Sequence, residues 1–118
     1  MKYSELLVWQ KAMDLVTAVY RVTRVFAEDE KFGLTSQLRR AAVSIPANLA
    51  EGHGRKSTRA YLNHVSIANG SLMELETLLQ ISARLDYVEN KRLLEALCQT
   101  NEIGKMMSGL IQTLNPRS

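Results

Sequence analysis

The chain has 118 residues, 46% of them hydrophobic, with only two prolines and six glycines; this fits one domain over 1–118 with a packed core and excludes a disordered chain. Aromatics are 6% of the residues, which favours helices over a β-sandwich, and the single cysteine, Cys98, excludes an intramolecular disulfide framework. The net charge of +3 is uneven: residues 31–59 hold Lys31, Arg39, Arg40, Arg55, Lys56 and Arg59 against one acid, Glu51, so that segment is +5 and the remainder −2.

The first helix is predicted from about Ser4 to Ala27. One apolar row runs through Trp9, Met13, Val16, Tyr20 and Thr23, and a second through Val8, Ala12, Leu15, Val19, Val22 and Phe26. A surface helix needs one such stripe. Two adjacent stripes predict burial on more than one side, and therefore contact with other chains. The polar stretch "EDEKFG" breaks the pattern. The second helix is predicted from an N-cap at Thr35 to Glu51, shorter than the others. It should be ended by "GHG" at 52–54, where glycine accepts a left-handed conformation. The third opens at Ser57 or Thr58 and runs to about Leu85, with Tyr61, Val65, Ala68, Leu72, Leu75 and Leu79 as its core stripe. "DYVEN" makes a tight turn with Asp86 where glycine is expected. The fourth spans about Asn90 to Leu114, has Leu93, Leu97, Met107, Ile111 and Leu114 on one face, and is stopped by Asn115 and Pro116. Short connections between such helices predict an all-α, antiparallel, up-down-up-down four-helix bundle.

Pro46 falls inside the second helix, where it costs about 3 kcal/mol or more. One kinked helix is expected, with Ser44 returning a hydrogen bond to the carbonyl of Arg40. Gln37, Arg40, Ser44, Asn48 and Glu51 form a polar stripe on that helix, and Asn63, Gly70 and Glu74 offer compatible spacing on the third. A mid-helix glycine at 70 predicts a close approach there. The expected arrangement is a polar network of Arg40 with Glu51 or Glu74 and Asn48, at a helix–helix or subunit interface, fixing register more than stability.

Catalytic and metal motifs are not found. His53 and His64 lack ligand spacing, Glu74 and Glu76 point to different sides, and Ser44 has no nucleophile elbow. Cys98 is expected as a small core residue. "GHGRKST" misses the phosphate-loop spacing. Even so, Lys56, Arg59 and the backbone N–H groups opening the third helix could hold a phosphate, with Arg55 and Arg39 adding charge. No cofactor is expected. The N-terminus lacks the apolar core of a signal peptide, and no run reaches the ~20 apolar residues of a membrane span. A cytoplasmic protein with no membrane partner follows.

The blocks "VWQKAMDLVTAVYRVT", "QLRRAAVSIPANLAEG" and "ANGSLMELET" resemble bacterial four-helix-bundle proteins named for reading frames in intervening sequences of 23S ribosomal RNA genes. The likeness covers nearly the whole chain and departs only in "FAEDEKFG", where the family usually has proline after the phenylalanine. It implies an antiparallel bundle that assembles into a ring-like homopentamer. It also implies kinship with accessory proteins of diversity-generating retroelements, which are basic pentamers that bind nucleic acid and a reverse transcriptase. Three functions compete. They are a non-enzymatic oligomeric adaptor that contacts RNA or DNA phosphates, a scaffold for a protein partner, and an enzyme. The first is preferred for its basic segment, which a ring would repeat; the enzyme is set last, because the chain shows no nucleophile–base constellation, metal motif or cofactor motif.

Overall fold

A computed structural model describes residues 1–115; the expected role of Pro116 as a helix stop lies outside the described residues. The described residues form four α-helices: α1 (Leu7–Thr23), α2 (Leu34–His53), α3 (Thr58–Arg84) and α4 (Asn90–Leu114). Each packs closely against two others, in the pairs α1–α2, α2–α3, α3–α4 and α4–α1, and among the described residues the backbones of the two diagonal pairs stay more than 8 Å apart. The helices therefore surround a single core. Leu15 and Val19 of α1, Leu38, Ile45 and Leu49 of α2, Val65, Leu72, Leu75 and Leu79 of α3 and Ile103 and Met107 of α4 fill it. The body measures 44 × 23 × 21 Å.

α1 is shorter than the Ser4–Ala27 span expected, and it is α1, not α2, that is the shortest helix: 17 residues against 20. Its start is held back because Tyr3–Glu5 forms a separate 3-10 turn and Leu6 is extended. Glu5 Oε2 accepts from the Lys2 amide at 3.2 Å and Gln10 Nε2 donates to the Ser4 carbonyl, so the polar groups at this end are satisfied without a longer helix. Its end follows a Val22–Thr23 pair of stiff β-branched residues. Thr23 is buried, and its hydroxyl donates to the Val19 carbonyl at 2.8 Å while accepting from Arg39.

α2 begins one residue before Thr35, which is buried inside the helix and is not its cap. The cap position falls on Gly33. The first free N–H, that of Leu34, donates instead to Glu30 Oε1 at 3.2 Å, placing a carboxylate at the positive end of the helix. Pro46 lies within a continuous helix, as expected. Ser44 does not bond back to Arg40; its hydroxyl is engaged by α3 instead.

α2 passes through Gly52 and ends at His53, and Gly54 stays right-handed at φ −80°, so no left-handed glycine terminates it. Gly52 has another purpose. A Cβ there would stand 2.7 Å from His64 Cβ and 3.1 Å from the Tyr61 ring, so it marks a close approach of α2 to α3. Gly70, by contrast, has nothing of this chain within 4 Å of where its Cβ would be. The close approach expected at Gly70 is found at Gly52.

The left-handed residue belongs to the α3–α4 turn, where Asp86 has φ 63°. The Asp86 amide donates to Ala83 and the Tyr87 amide to Ser82, a Schellman motif built on aspartate. Asp86→Gly should therefore stabilise the fold by roughly 0.5–1 kcal/mol, because glycine avoids the left-handed penalty at some entropic cost; urea unfolding measures it. The α3 stripe is buried as expected, apart from a half-buried Tyr61. On α4 the buried positions are Ala96, Thr100, Ile103 and Met107. Leu93, Leu97, Ile111 and Leu114 are only half-buried at the rim. Cys98, expected in the core, is exposed because it lies on the side of α4 facing away from the other helices.

Candidate nucleic-acid interface

The basic segment folds into the end of α2, the turn at 54–57 and the opening of α3. Ser57 caps α3, its Oγ accepting from the Ala60 amide at 3.1 Å. That cap projects the flanking cations outward: Arg55, Lys56 and Arg59 are all exposed. Glu51 is the only acid of the segment. Its Oε1 lies 3.7 Å from Arg55 Nη2, and the pair is more than half exposed, so the attraction is weak and screened. Lys56 and Arg59 have no counter-charge within ion-pair reach; the pairs among the described residues are Lys11–Glu102, Glu51–Arg55 and Glu51–His64.

Arg39 is not brought to this cluster. It sits near the start of α2, fourteen positions before His53, or ~21 Å at ~1.5 Å per residue. Its Nε donates to Thr23 Oγ1 at 2.8 Å, and its guanidinium stacks 4.5 Å over the Tyr20 ring. It clamps α1 to α2.

The polar stripe divides into two groups. Ser44, Asn48 and Glu51 join a chain of hydrogen bonds across the α2–α3 contact. Ser71 Oγ donates to Ser44 Oγ at 2.8 Å, and Asn48 Nδ2 donates to the Ser44 carbonyl and hydroxyl at 2.9 and 3.1 Å. That fixes the Asn48 amide with Oδ1 as acceptor, so His64 Nδ1 carries the proton it shares with Oδ1 at 3.0 Å; Glu51 Oε2 lies 3.6 Å from the same nitrogen. His64 and Ser71 are the two members that sequence reasoning missed. Their spacing of seven puts both on one face of α3, as the spacing of four puts Ser44 and Asn48 on one face of α2, and that shared-face placement was the available signal. Gln37, Arg40 and Glu74 do not enter this chain. They line a cleft of about 450 Å³ with Ala41, Ser44 and Ser71. Gly70 is exposed and takes part in neither group.

Nearby, burial pushes the Tyr61 phenol above its ordinary value, and its ring stands edge-on to His53 at 5.8 Å. At the opposite connections, Tyr87 Oη donates to Glu30 Oε2 at 3.1 Å, and that bond holds the Tyr87 phenol above the usual range. Among the described residues no three His, Cys, Asp or Glu side chains gather as metal ligands, and no helix is long and apolar enough to cross a membrane.

Part of the apolar surface stays outside the bundle. The row of α1 that runs through Trp9, Met13, Val16 and Tyr20 leaves Met13 42% and Tyr20 40% exposed. Tyr20 lines a groove of about 590 Å³ together with Phe32 and Val43, and Phe32 is 89% exposed.

No curated protein matches the chain. A protein of unknown function from the S23 ribosomal protein family of Bacteroides thetaiotaomicron is similar in crystal structure, with a TM-score of 0.83 and 22% identity. The likeness covers 90% of this chain and 99% of that one, and at this identity it speaks for the fold alone. The sequence profile of the 23S rRNA-intervening sequence proteins matches residues 4–109. With the four helices in place and nine-tenths of its length matched, the chain belongs to the 23S rRNA-intervening sequence protein family.

Proposed function

We propose that the protein is a non-enzymatic, cytoplasmic adaptor, a homopentameric ring of antiparallel four-helix bundles that holds RNA or DNA by its phosphates. The observation that carries this reading is the exposed trio Arg55, Lys56 and Arg59 around one turn, opposed only by Glu51. Backbone phosphates need nothing more than such a cluster, and base recognition is not part of the reading. Support for the antiparallel order comes from the α2–α3 pairing, in which residue 44 meets 71 and residue 48 meets 64. Support for self-association comes from the uncovered apolar side chains Met13, Tyr20 and Val43 along α1 and α2 and Phe32 in the turn between them, since patches of this kind mark interaction sites. Repetition around a ring turns weak single contacts into strong retention.

Native mass spectrometry at low micromolar concentration should find a five-subunit species; a monomer with no larger assembly overturns the ring. Fluorescence anisotropy with a labelled mixed-sequence duplex should find binding at low salt that falls steeply as salt rises. Binding that ignores salt, or none at low salt, overturns the adaptor reading. Glu51→Gln should tighten duplex binding a few-fold, the equivalent of roughly 0.2–1 kcal/mol for an exposed ion pair, because the variant removes the one competing carboxylate. Weaker binding by the same anisotropy titration would mean that Glu51 positions Arg55 instead of competing for it.

A further inference from the structure

The α2–α3 cleft of about 450 Å³ carries opposite charges on its two walls, Arg40 on α2 and Glu74 on α3. Starting from the Ser44–Ser71 bond, one turn along α2 leads to Arg40 and one turn along α3 leads to Glu74. They share the cleft without forming an ion pair, and among the described residues neither side chain makes a hydrogen bond within the chain. The floor is also directional. Ser44 Oγ accepts from both Ser71 and Asn48, which uses both lone pairs. Among the described residues its own proton has no acceptor, and Ser44 stands one turn from Arg40 on the α2 wall of the cleft, where the hydroxyl is available as a donor. One wall therefore offers cationic and hydroxyl donors, and the other a carboxylate acceptor. The volume falls in the ~300–1,000 Å³ range of small-molecule sites, which typically have a few converging polar groups.

We propose that this cleft binds a small zwitterion, its carboxylate held by Arg40 and Ser44 and its ammonium by Glu74. A planar guanidinium favours a two-oxygen anion. A molecule carrying both charges satisfies both walls at once, whereas a singly charged one leaves the opposite wall unanswered. This site lies on helix faces away from the turn at 54–57 and does not depend on the phosphate reading.

The experiment is isothermal titration of the full chain with ω-amino acids of increasing length, from glycine to 6-aminohexanoate, beside acetate and butylamine. One length of the series should bind, at least tenfold more tightly than either singly charged control. Arg40→Gln and Glu74→Gln should each weaken that binding at least tenfold, and the exchanged pair R40E/E74R should bind more tightly than either single variant, because the ligand can reverse its direction, yet short of the parent, because Ser44 has no lone pair left for the ammonium. Both residues are exposed, so the variants should fold, and circular dichroism melts check this; should a variant misfold, Ser44→Ala, expected to cut affinity severalfold, serves in its place. Equal binding of acetate would overturn the proposal in favour of a simple anion site. No binding by any amino acid overturns it outright. If Arg40→Glu also dissociates the assembly in native mass spectra, the cleft is a contact between copies. Duplex titrations of the Arg55, Lys56 and Arg59 variant report on the phosphate reading separately.

Discussion

With Arg55, Lys56 and Arg59 all replaced by glutamine, duplex binding at low salt is lost while the assembly and the thermal melt stay intact. The three side chains are exposed, and among the described residues only Arg55 of the three forms an ion pair, with Glu51 at 3.7 Å. Surface changes of this kind usually move stability by no more than ~0.5 kcal/mol. Their effect on binding is far larger. Each neutralised phosphate contributes about 0.9 to the logarithmic salt slope. Three contacts from one subunit therefore predict a drop of about 40-fold over a fourfold rise in salt, and engagement of two subunits multiplies that factor by itself. The variant should lose this steepness along with the affinity. Arg39→Gln is the contrasting case. Removing its bond to Thr23 and its stacking on Tyr20 should lower the melting temperature and leave the salt slope unchanged. If Arg39 changes the slope and the trio does not, the interface lies elsewhere.

The second large effect concerns two glycines of opposite sign. Gly52→Ala places a methyl group 2.7 Å from His64 Cβ and 3.3 Å from the Tyr61 carbonyl, neither of which is a flexible tip. The helices must separate, and overpacking of this kind costs about 1–3 kcal/mol. The gain in helix propensity returns at most ~1 kcal/mol, so a net loss is expected, larger for Gly52→Val. Gly70→Ala meets nothing within 4 Å and should gain about 0.5–1 kcal/mol. Urea unfolding of both variants decides. A loss at Gly70 would point to a neighbouring subunit packed over that glycine. No loss at Gly52 would mean that α2 and α3 can slide apart without disturbing the His64–Asn48 bond.

The number of helices and the α3 core were legible because Val65, Ala68, Leu72, Leu75 and Leu79 keep one helical period, which needs no tertiary knowledge. The limits of α1 were not, since apolar residues continue past both ends. There the chain satisfies its polar groups through Glu5 and Thr23 in ways periodicity does not encode. Cys98 misled because a small apolar residue fits a core face and a solvent face equally well. In the polar stripe the residue types were informative and the partners were not. Arg40, Asn48 and Glu51 or Glu74 were grouped by polarity and helical spacing, whereas His64 and Ser71 complete the chain across α2–α3. Pairings between helices depend on axial register, which one sequence leaves open. The basic trio was fully readable because three cations in five residues stay together in any local structure. Arg39 illustrates the opposite case, where a tertiary partner takes a residue away from its sequence neighbours.

The tie between Tyr87 and Glu30 links residues 57 apart, and Phe26 packs 5.4 Å from the same tyrosine ring. Two of the three connections are thereby laced together, whereas the one at 54–57 projects alone, carrying Arg55 and Lys56. Fraying and backbone access should concentrate at that lone connection. Limited trypsin digestion would then nick the native chain first after Arg55 or Lys56, leaving two fragments that stay associated through the shared core, while Arg24, Lys31 and Arg84 are cut more slowly. Occupancy of the basic end by a polyanion would slow that first nick and leave the later ones unchanged.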